Sequence, residues 1–275
     1  MLLSVFDREV SGLIFQGERR MQILIYLVSE NHITVKQSYN NLLQGLIYQF
    51  LDRLDANWLH ENGFASGNRN FKLFVFSGIR ERGKIDRKTK TFEFSNRISF
   101  YLSSPVDWIL TQFSSNIIRA RKLNLGNNSV SVESIAVMKE QTIDSDSIII
   151  RALTPIEVHS TLIKPDGKKL TYYYSPFEGE FGKLVNTNLR KKWKAFYRRE
   201  APGDISVKPL FSGIRNERIR YFASGNGKTL IKGWVGRFEL SGDKELLKFA
   251  LDAGLGSRNS QGFGMIKIAA DWKNQ

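Results

Sequence analysis

A glycine-rich stretch near the C-terminal end, GLGSRNSQGFG at residues 254–264, is the segment whose composition most directly predicts a binding chemistry. Its glycines follow the pattern G-x-G-x5-G-x-G, and its single charged residue is Arg258. Because glycine has no Cβ, a phosphate backbone can approach the main chain closely, and successive N–H groups can form an anion-binding concavity that Arg258 would reinforce. The alternative is a helix C-cap at Gly254 followed by a flexible turn. The residues that we expect to contact phosphate are Gly254, Gly256, Ser257, Arg258, Asn259, Ser260, Gln261, Gly262 and Gly264.

The spacing of these glycines excludes two better-known phosphate loops. A dinucleotide-binding fingerprint needs G-x-G-x-x-G between a strand and a helix, whereas this stretch follows a predicted helix and leads into a predicted strand. A P-loop needs Gly-Lys-Ser or Gly-Lys-Thr, which the stretch lacks. The segment therefore predicts a backbone-binding loop of another kind.

The residue types that support metal or thiol chemistry are scarce. The chain has no cysteine, which excludes disulfides, thiolate metal sites and a cysteine nucleophile. Its histidines are His32, His60 and His159, too few to favour a histidine-rich metal cage. We therefore expect no metal and no cofactor, and any catalysis must use other groups.

The charge balance predicts an anionic partner. Lys and Arg number 41 against 27 Asp and Glu, which leaves a net charge of +14 and a sequence pI near 9.9. These basic residues are spread over strand-like and helical segments and form no single basic amphipathic helix, so nucleic acid is favoured over an anionic membrane surface. The alternative for each basic cluster is a solvated face. Candidate phosphate contacts are Arg190, Lys191, Lys194, Arg198 and Arg199 on a predicted helix, Arg80, Arg82, Lys84 and Arg87 in a turn, and Arg119 with Arg121.

The sequence predicts neither a membrane anchor nor an export signal. No run reaches the roughly 18 consecutive apolar residues of a transmembrane helix. The first residues are interrupted by Asp7, Arg8 and Glu9, unlike the apolar region of a secretory signal. We expect a soluble cytoplasmic protein.

The first half of the chain follows the order β-α-β-β-α-β. A strand MQILIYLV precedes a helix whose apolar positions recur from Leu42 to Leu54, and three strand-like runs follow, FKLFVFS, FEFS and RISFYL. A second helix is predicted to begin with a Ser104 cap, Pro105 at its first position and Asp107 completing a capping box. The run SVSVESIAVM supplies the last strand. This order is the ferredoxin-like arrangement that also underlies the RNA-recognition fold.

The second half repeats that order. Strand-like runs lie near residues 148–153, Val207, Ile231 and Phe263, with helices near residues 181–200 and from Asp243. The sequence FSGIR occurs twice, at residues 76–80 and 211–215, and is predicted on the second strand of each unit. We therefore predict an α+β protein of two tandem ferredoxin-like (RRM-like) βαββαβ domains with a C-terminal glycine-rich loop. The predicted boundaries are 1–20 for an extension or misassigned start, 21–142 for the first domain and 143–275 for the second.

The glycine-rich segment resembles the C-terminal motif of the repeat-associated (RAMP) superfamily of CRISPR proteins, in which two glycine-hydrophobic-glycine clusters flank a stretch with a basic residue. The segments LLQGLIYQFL and WLHENG, at residues 42–51 and 58–63, resemble the first helix and following loop of the CRISPR repeat-processing endoribonucleases within that superfamily. The resemblance extends from about Met21 to the end of the chain.

The resemblance implies a tyrosine-histidine-lysine active site, to which Tyr48, His60 and Lys72 correspond. Tyr48 lies about 150° from the centre of the apolar stripe of its helix, which is not the place of a core tyrosine. His60 is predicted in a polar loop after the helix, where its alternative is an exposed loop histidine. For the lysine, the alternative is Arg69.

The activity that the resemblance implies is metal-independent cleavage of CRISPR repeat RNA to mature guide RNAs. An RNA 2′-hydroxyl attacks the adjacent phosphate and leaves a 2′,3′-cyclic phosphate and a 5′-hydroxyl. His60 and Tyr48 would share the acid and base roles, and Lys72 would stabilise charge on the phosphorane. Precursor and guide RNA are the implied partners, with interference-complex subunits as further candidates, and the protein would be a monomer or homodimer.

Two alternatives belong to other classes. One is a non-catalytic RNA-binding subunit of the same superfamily, which would have no reason to retain Tyr48, His60 and Lys72. The other is a tandem RNA-recognition protein of unrelated function, which ranks last because the aromatic RNP signatures are not evident.

Overall fold

The computed structural model describes residues 21–139, 142–224 and 227–269, so the predicted extension at residues 1–20 lies outside the described residues. The helices are α1 (Asn40–Gln49), α2 (Arg53–Glu61), α3 (Asp107–Arg119), α4 (Gly179–Tyr197) and α5 (Lys244–Ala253). The strands are β1 (Met21–Val28), β2 (Ile33–Lys36), β3 (Phe64–Ser66), β4 (Arg69–Phe71), β5 (Val75–Phe76), β6 (Lys84–Asp86), β7 (Thr91–Phe94), β8 (Arg97–Ser104), β9 (Leu123–Leu125), β10 (Asn128–Val137), β11 (Ser147–Ile156), β12 (His159–Ile163), β13 (Lys169–Tyr173), β14 (Ile205–Pro209), β15 (Glu217–Ser224), β16 (Gly227–Gly242) and β17 (Ile266–Ile268).

The first unit is built on a five-stranded antiparallel sheet in the order β5-β8-β1-β10-β9. The four strands of the ferredoxin-like arrangement are therefore β1, β5, β8 and β10, with the first strand between the third and the fourth. Ile25 of β1 and Phe100 of β8 are fully buried and pack in one core with Phe113 of α3. Alternation along the strands places these side chains on the helical face of the sheet.

The second unit repeats this topology, with its main sheet in the order β14-β16-β11-β17 and β15 paired with the far end of β16. Helices α4 and α5 contribute Leu189 and Phe249 to a separate core, which includes Phe238 from β16. Asp243 caps α5, where its carboxylate accepts a hydrogen bond of 3.0 Å from the Leu246 N–H. The predicted tandem ferredoxin-like α+β fold is confirmed.

Several additions to the two units were not predicted from the sequence. The charged turn before β7 contains β6, which forms a small sheet with β7 and β2. Two hairpins, β3-β4 and β12-β13, also extend from the units. In the first unit, β3-β4 packs against α4 of the second. These short strands pair through non-local contacts that periodicity does not reveal.

The single helix predicted from Leu42 to Leu54 is wrong, because the chain breaks into α1 and α2 near Asp52. Two side chains of α3 satisfy backbone groups at the break: Gln112 Oε1 accepts from the Asp52 N–H at 3.0 Å, and Asn116 Nδ2 donates to Phe50 O at 3.0 Å. Hydrogen bonds from a distant helix therefore supply partners at a break that the apolar spacing does not signal.

The predicted start of the next helix is also wrong. Ser104 is the last residue of β8, and α3 begins at Asp107 rather than at Pro105. The Ser104 hydroxyl donates to Leu73 O at 2.7 Å and accepts from the Val106 N–H at 3.0 Å, so it ties the strand end to a neighbouring segment.

The repeated FSGIR segments do not share a position on strands, contrary to the prediction. In the first copy only Phe76 belongs to a strand, and the second copy follows β14 in a loop that ends in a 3-10 turn. The recurrence is therefore not a structural repeat of the second strand.

None of the helices among the described residues combines the length and the hydrophobicity that a membrane-spanning helix requires.

Candidate active site and nucleic-acid interface

Tyr48 and His60 meet at the surface of the first unit. Tyr48 lies in the last turns of α1, and His60 lies in the last turn of α2 rather than in a loop as predicted. Their rings are 5.7 Å apart between centroids and meet edge to face at 79°. The break between α1 and α2 lets the second helix turn back and bring the histidine to the tyrosine.

The environments of these two rings differ. The Tyr48 ring is half-buried, 5.6 Å from the Phe74 ring, and packs on the core, contrary to the predicted off-core position. Burial raises its pKa well above that of a free tyrosine, so the phenol keeps its proton at neutral pH. His60 is exposed. The pair therefore joins a neutral hydroxyl donor to an accessible imidazole.

Lys72 is next to this pair. It follows β4, and its Nζ donates a hydrogen bond of 2.7 Å to the backbone oxygen of His60. Burial lowers its pKa below the usual value of a lysine. Arg69, the alternative to Lys72, is exposed at the start of β4. The structure thus brings Tyr48, His60 and Lys72 together.

A cleft of about 460 Å³ between the two units is lined by Lys72 on one side and the glycine-rich loop on the other. The loop presents Ser257, Arg258, Ser260 and Gln261 as its partly exposed rim. Lys72 therefore connects the tyrosine-histidine pair with the loop, although the two are far apart in sequence.

The glycines of the loop are required by its own packing. Gly254, Gly256, Gly262 and Gly264 all have φ between 67° and 82°, a region that other residues rarely adopt. A Cβ at Gly264 would overlap Leu255 O, and one at Gly262 would lie 2.8 Å from Phe76 Cε2. Gly254 is also the C-cap of α5, as the alternative interpretation held. Close approach within the protein therefore accounts for the four glycines.

Hydrogen bonds fix the loop from inside. Asn259 is buried, and its Nδ2 donates to Leu255 O at 3.1 Å and Phe263 O at 3.0 Å. The Leu255 N–H donates to Gly264 O at 2.9 Å, which closes the base of the loop. The loop is therefore a hydrogen-bonded element rather than the flexible turn of the alternative interpretation.

The loop also joins the two units. Asn40, the first residue of α1, donates from Nδ2 to Gln261 O at 2.9 Å and to Gly262 O at 3.4 Å. Since α1 carries Tyr48, the loop contacts the start of the helix that positions a candidate catalytic residue.

Arg258 is held by the protein rather than directed freely into the cleft. Its Nε lies 3.8 Å from Oε2 of Glu157, a fully buried carboxylate, and its Nη1 donates to Gln261 Oε1 at 3.2 Å. The other oxygen of Glu157 bonds to His159 Nδ1, and the Glu157 carbonyl accepts from the Ser257 N–H at 2.7 Å. Glu157 thus supports the loop rim from below and offsets part of the Arg258 charge.

Lys192 is a second support of the loop that sequence reasoning missed. It is 2% exposed in α4, and its Nζ donates to Gly254 O at 2.9 Å and Gly256 O at 3.0 Å. The available signal was its position on the apolar stripe of α4, between Leu189 and Phe196 at helical spacing. A lysine at such a position has a buried partner or an unusual pKa.

The predicted basic face of α4 is partly engaged in ion pairs. Arg190 Nη1 lies 2.8 Å from Asp204 Oδ1, and Lys194 pairs with Glu200. These pairs are exposed and therefore weak. Lys191 is exposed, and Arg198 caps the end of α4 in a left-handed conformation. Arg190, Lys191 and Lys194 line a depression with Arg69, which also borders the cleft.

Within residues 21–139, 142–224 and 227–269, no group of three or more His, Asp or Glu side chains is arranged to hold a metal ion.

Comparison with known proteins identifies relatives of this chain. Residues 138–268 match the family model described as CRISPR associated protein Cas6, C-terminal. The chain is 26% identical to CRISPR-associated endoribonuclease Cas6 1 of Methanocaldococcus jannaschii, with 93% of this chain and 95% of the relative aligned. It is also 26% identical to CRISPR-associated endoribonuclease Cas6 of Pyrococcus furiosus over 90% of each chain.

Solved structures share the fold. One titled as the characterization of a Cas6-related gene from Pyrococcus furiosus aligns with a TM-score of 0.76 at 20% identity, covering 93% of this chain and all of the other. Another, titled CRISPR associated protein Cas6, aligns with a TM-score of 0.72 at 23% identity over 92% of this chain and 100% of its own. The matches therefore show a Cas6 C-terminal domain at residues 138–268 and, over most of the chain, relatives named as Cas6 endoribonucleases.

Proposed function

We propose that this protein is an endoribonuclease that cleaves CRISPR repeat RNA in a precursor transcript to produce guide RNAs. The observation that carries the proposal is the convergence of Tyr48, His60 and Lys72, of which Lys72 also lines the cleft that the glycine-rich loop borders. The names of the full-length relatives, CRISPR-associated endoribonucleases, support the same activity.

The reaction that suits these groups is an internal transesterification. The 2′-oxygen forms a bond to the adjacent phosphorus while the bond from phosphorus to the 5′-oxygen breaks. The products are a 2′,3′-cyclic phosphate and a 5′-hydroxyl. The RNA supplies its own nucleophile, so the protein has to accept one proton, donate one proton and stabilise the phosphorane.

We assign these roles from the environment of each group. His60 is exposed, and histidine is suited to accept the 2′-hydroxyl proton near neutral pH. Tyr48 retains its proton because burial raises its pKa, so it donates to the leaving 5′-oxygen or to the phosphorane. Lys72 is close enough to His60 to place its ammonium against the developing negative charge.

The remaining RNA follows the cleft between the two units in this proposal. The loop rim and the basic side chains of α4 lie on the same path, since Arg69 borders both the cleft and the depression beside α4. Phosphate contacts there would hold the substrate without taking part in bond breaking. We propose that binding depends on the second unit and chemistry on the first.

Incubation of the purified protein with repeat RNA in a metal chelator tests this function. We expect one cut per repeat, with a 2′,3′-cyclic phosphate on the upstream fragment, and no cut in an RNA of shuffled sequence. Repeat RNA that is bound but remains intact would contradict the proposal.

Repeat RNA that binds without being cut would favour a non-catalytic RNA-binding subunit. The observation in its favour is that the loop, the cleft and the basic face do not depend on Tyr48 or His60. A solved structure titled "An RAMP protein binding different RNA substrates" shares the fold, with a TM-score of 0.73 at 20% identity. Interference-complex subunits as partners, and a monomer or homodimer, stay predictions.

A further inference from the structure

Lys192 is a buried lysine on the floor of the cleft between the two units. Its side chain reaches from α4 to the end of α5, where its Nζ donates to the carbonyls of Gly254 and Gly256. It also lines the cleft together with Lys72. The two carbonyls belong to the base of the glycine-rich loop and lie within four residues of its rim at Ser257 and Arg258. The Lys192 amine is therefore directly beneath the surface that we propose for RNA.

The Lys192 amine donates its hydrogen bonds to neutral backbone carbonyls. Burial, rather than a neighbouring charge, lowers the pKa of this amine. The charged and titratable groups on the elements around it are Asp252 on α5, Lys208 on β14, Arg69 and Lys72 at the cleft edge, and Glu157, His159 and Arg258 below the loop rim. Glu157 and Asp252 are both buried, and Glu157 is engaged with His159 and Arg258. A buried ammonium that is held by neutral carbonyls is costly, so this site favours an incoming anion.

The number of N–H groups on the Lys192 amine indicates that binding of an anion is coupled to uptake of a proton. A neutral lysine amine has two N–H groups, and the two carbonyls of the loop use both. The protonated amine has a third, which is free to donate to a phosphate oxygen. Asn188, one helical turn earlier, is 7% exposed, lines the cleft, and has an amide oxygen without a hydrogen-bond partner. The Asn188 oxygen suits a hydrogen-bond donor such as an RNA hydroxyl, whereas the third N–H of Lys192 suits a phosphate oxygen.

We infer that Lys192 is the buried cation of a phosphate site on the cleft floor, and that an RNA phosphate bound there takes up a proton on this lysine. The inference rests on the proposed function for the identity of the ligand as RNA. It assigns to Lys192 a contact with the RNA backbone in addition to its support of the loop.

Proton uptake by Lys192 predicts how RNA affinity changes with pH. Without RNA, burial lowers the pKa of Lys192 to about 7, so the amine is mostly neutral above that pH. A phosphate at the third N–H favours the charged form and raises the pKa. RNA affinity therefore falls as pH rises above about 7, by up to about tenfold per pH unit, and Lys192 adds no pH dependence where it is already protonated.

Calorimetric titration of the full chain tests this site without cleavage. The probe is a repeat RNA with a single 2′-deoxynucleotide at the scissile position, which removes the nucleophile. Measurements at pH 6 and pH 8, in two buffers of different ionisation enthalpy and at constant salt, report the protons taken up per complex. Lys192→Met is compared with the matched control Lys183→Met, which removes an exposed lysine of the same helix.

We expect roughly half a proton or more to be taken up at pH 8 by the wild type and by Lys183→Met, and this uptake to disappear in Lys192→Met. If thermal unfolding indicates that Lys192→Met does not fold, Lys192→Arg carries the test, because it stays charged and should bind without the pH dependence. No proton uptake by the wild type at pH 8, or the same uptake in the folded Lys192 variant, would overturn the inference.

The two proposals fail in different ways. If unmodified repeat RNA stays intact while the deoxy probe binds with Lys192-dependent proton uptake, the nuclease proposal fails and the phosphate site stands. If repeat RNA is cut but binding takes up no proton at pH 8, the phosphate site fails and the nuclease proposal stands.

Discussion

The candidate catalytic residues and the glycine-rich loop have contrasting supports. His60 is exposed in the last turn of a nine-residue helix, where it contacts the Tyr48 ring and accepts a hydrogen bond from Lys72 at its backbone oxygen. Gly264 is buried, and hydrogen bonds or close contacts fix the segment on each side of it. The proposed chemistry therefore depends on exposed side chains whose loss should leave the fold intact, whereas the loop depends on glycine backbone conformations that also stabilise the fold.

The same contrast changes the interpretation of the glycine pattern. The sequence suggested that glycines permit a phosphate to approach the backbone. In the structure, the atoms that a Cβ would meet belong to the protein, such as Glu157 O at Gly256 and Leu255 O at Gly264. The glycines shape the loop, and we propose that RNA contacts fall to its rim and to the floor beneath it.

The largest effect that we expect from a single substitution is on the rate of cleavage in His60→Ala. Removal of a positioned proton-transfer group lowers the rate by about 10²- to 10⁴-fold. Because His60 is exposed, thermal stability and RNA affinity should be nearly unchanged. Single-turnover cleavage and equilibrium binding on the same repeat RNA measure the two effects separately.

His32→Ala is the matched control, because His32 is also exposed and lies in the first unit. It should cut at the wild-type rate. Equal losses of cleavage rate in the two variants would contradict the assignment of the chemistry to His60.

The next effect is on stability, in Gly264→Ala. The added Cβ would overlap Leu255 O at a residue with φ of 71°, so we expect a loss of at least about 3 kcal/mol of unfolding free energy. Gly67→Ala has a similar φ of 57° but open space around its Cβ, and should lose only about 1 to 2 kcal/mol. Denaturant unfolding of both variants gives the comparison, and equal losses would show that packing against the loop is unimportant.

A smaller effect is expected in Asn40→Ala, which removes the bonds from the start of α1 to Gln261 O and Gly262 O. These partly buried carbonyls would lose a partner, at about 1 to 2 kcal/mol of stability. Exposed Asn57→Ala on α2 is the control and should be within about 0.5 kcal/mol of the wild type. Thermal or denaturant unfolding measures the stability of both variants. Equal stabilities would show that the contact between the loop and α1, the helix that carries Tyr48, does not stabilise the protein.

The smallest effect should come from Arg258→Ala on RNA affinity. The arginine lies against Glu157, which offsets part of its charge, so we expect the Kd for RNA to rise by less than about tenfold. Filter binding at fixed salt measures it. A loss of a hundredfold or more would make Arg258, and not the cleft floor, the principal anion contact of the loop.

Sequence patterns predicted the fold better than the supports of the site. Periodicity was sufficient for the two ferredoxin-like units because each core strand and helix carries its own apolar face. It failed at Asp52, where Gln112 and Asn116 from a distant helix bond to the break between α1 and α2. Leu54 continues the apolar spacing but is 73% exposed, so spacing alone extended the helix too far.

The candidate catalytic residues were predicted from the sequence, but the residues that support the loop were not. The resemblance selected Tyr48, His60 and Lys72, which the structure brings together, but no local pattern indicates that Lys192 and Glu157 support the glycine-rich loop. Their partners lie in the same unit but far away along the chain: the two carbonyls that Lys192 contacts are 62 and 64 residues away. Contacts at such separations form only when the second unit folds, so a local stretch of sequence does not reveal them.

Cleavage of a repeat RNA with one 2′-deoxynucleotide at the scissile position, in a metal chelator, tests the central claim most directly. If the RNA supplies its own nucleophile beside Tyr48, His60 and Lys72, the deoxy substrate binds and stays intact, while the all-ribose substrate yields a 2′,3′-cyclic phosphate. Cleavage of the deoxy substrate at the same position would contradict the proposed mechanism.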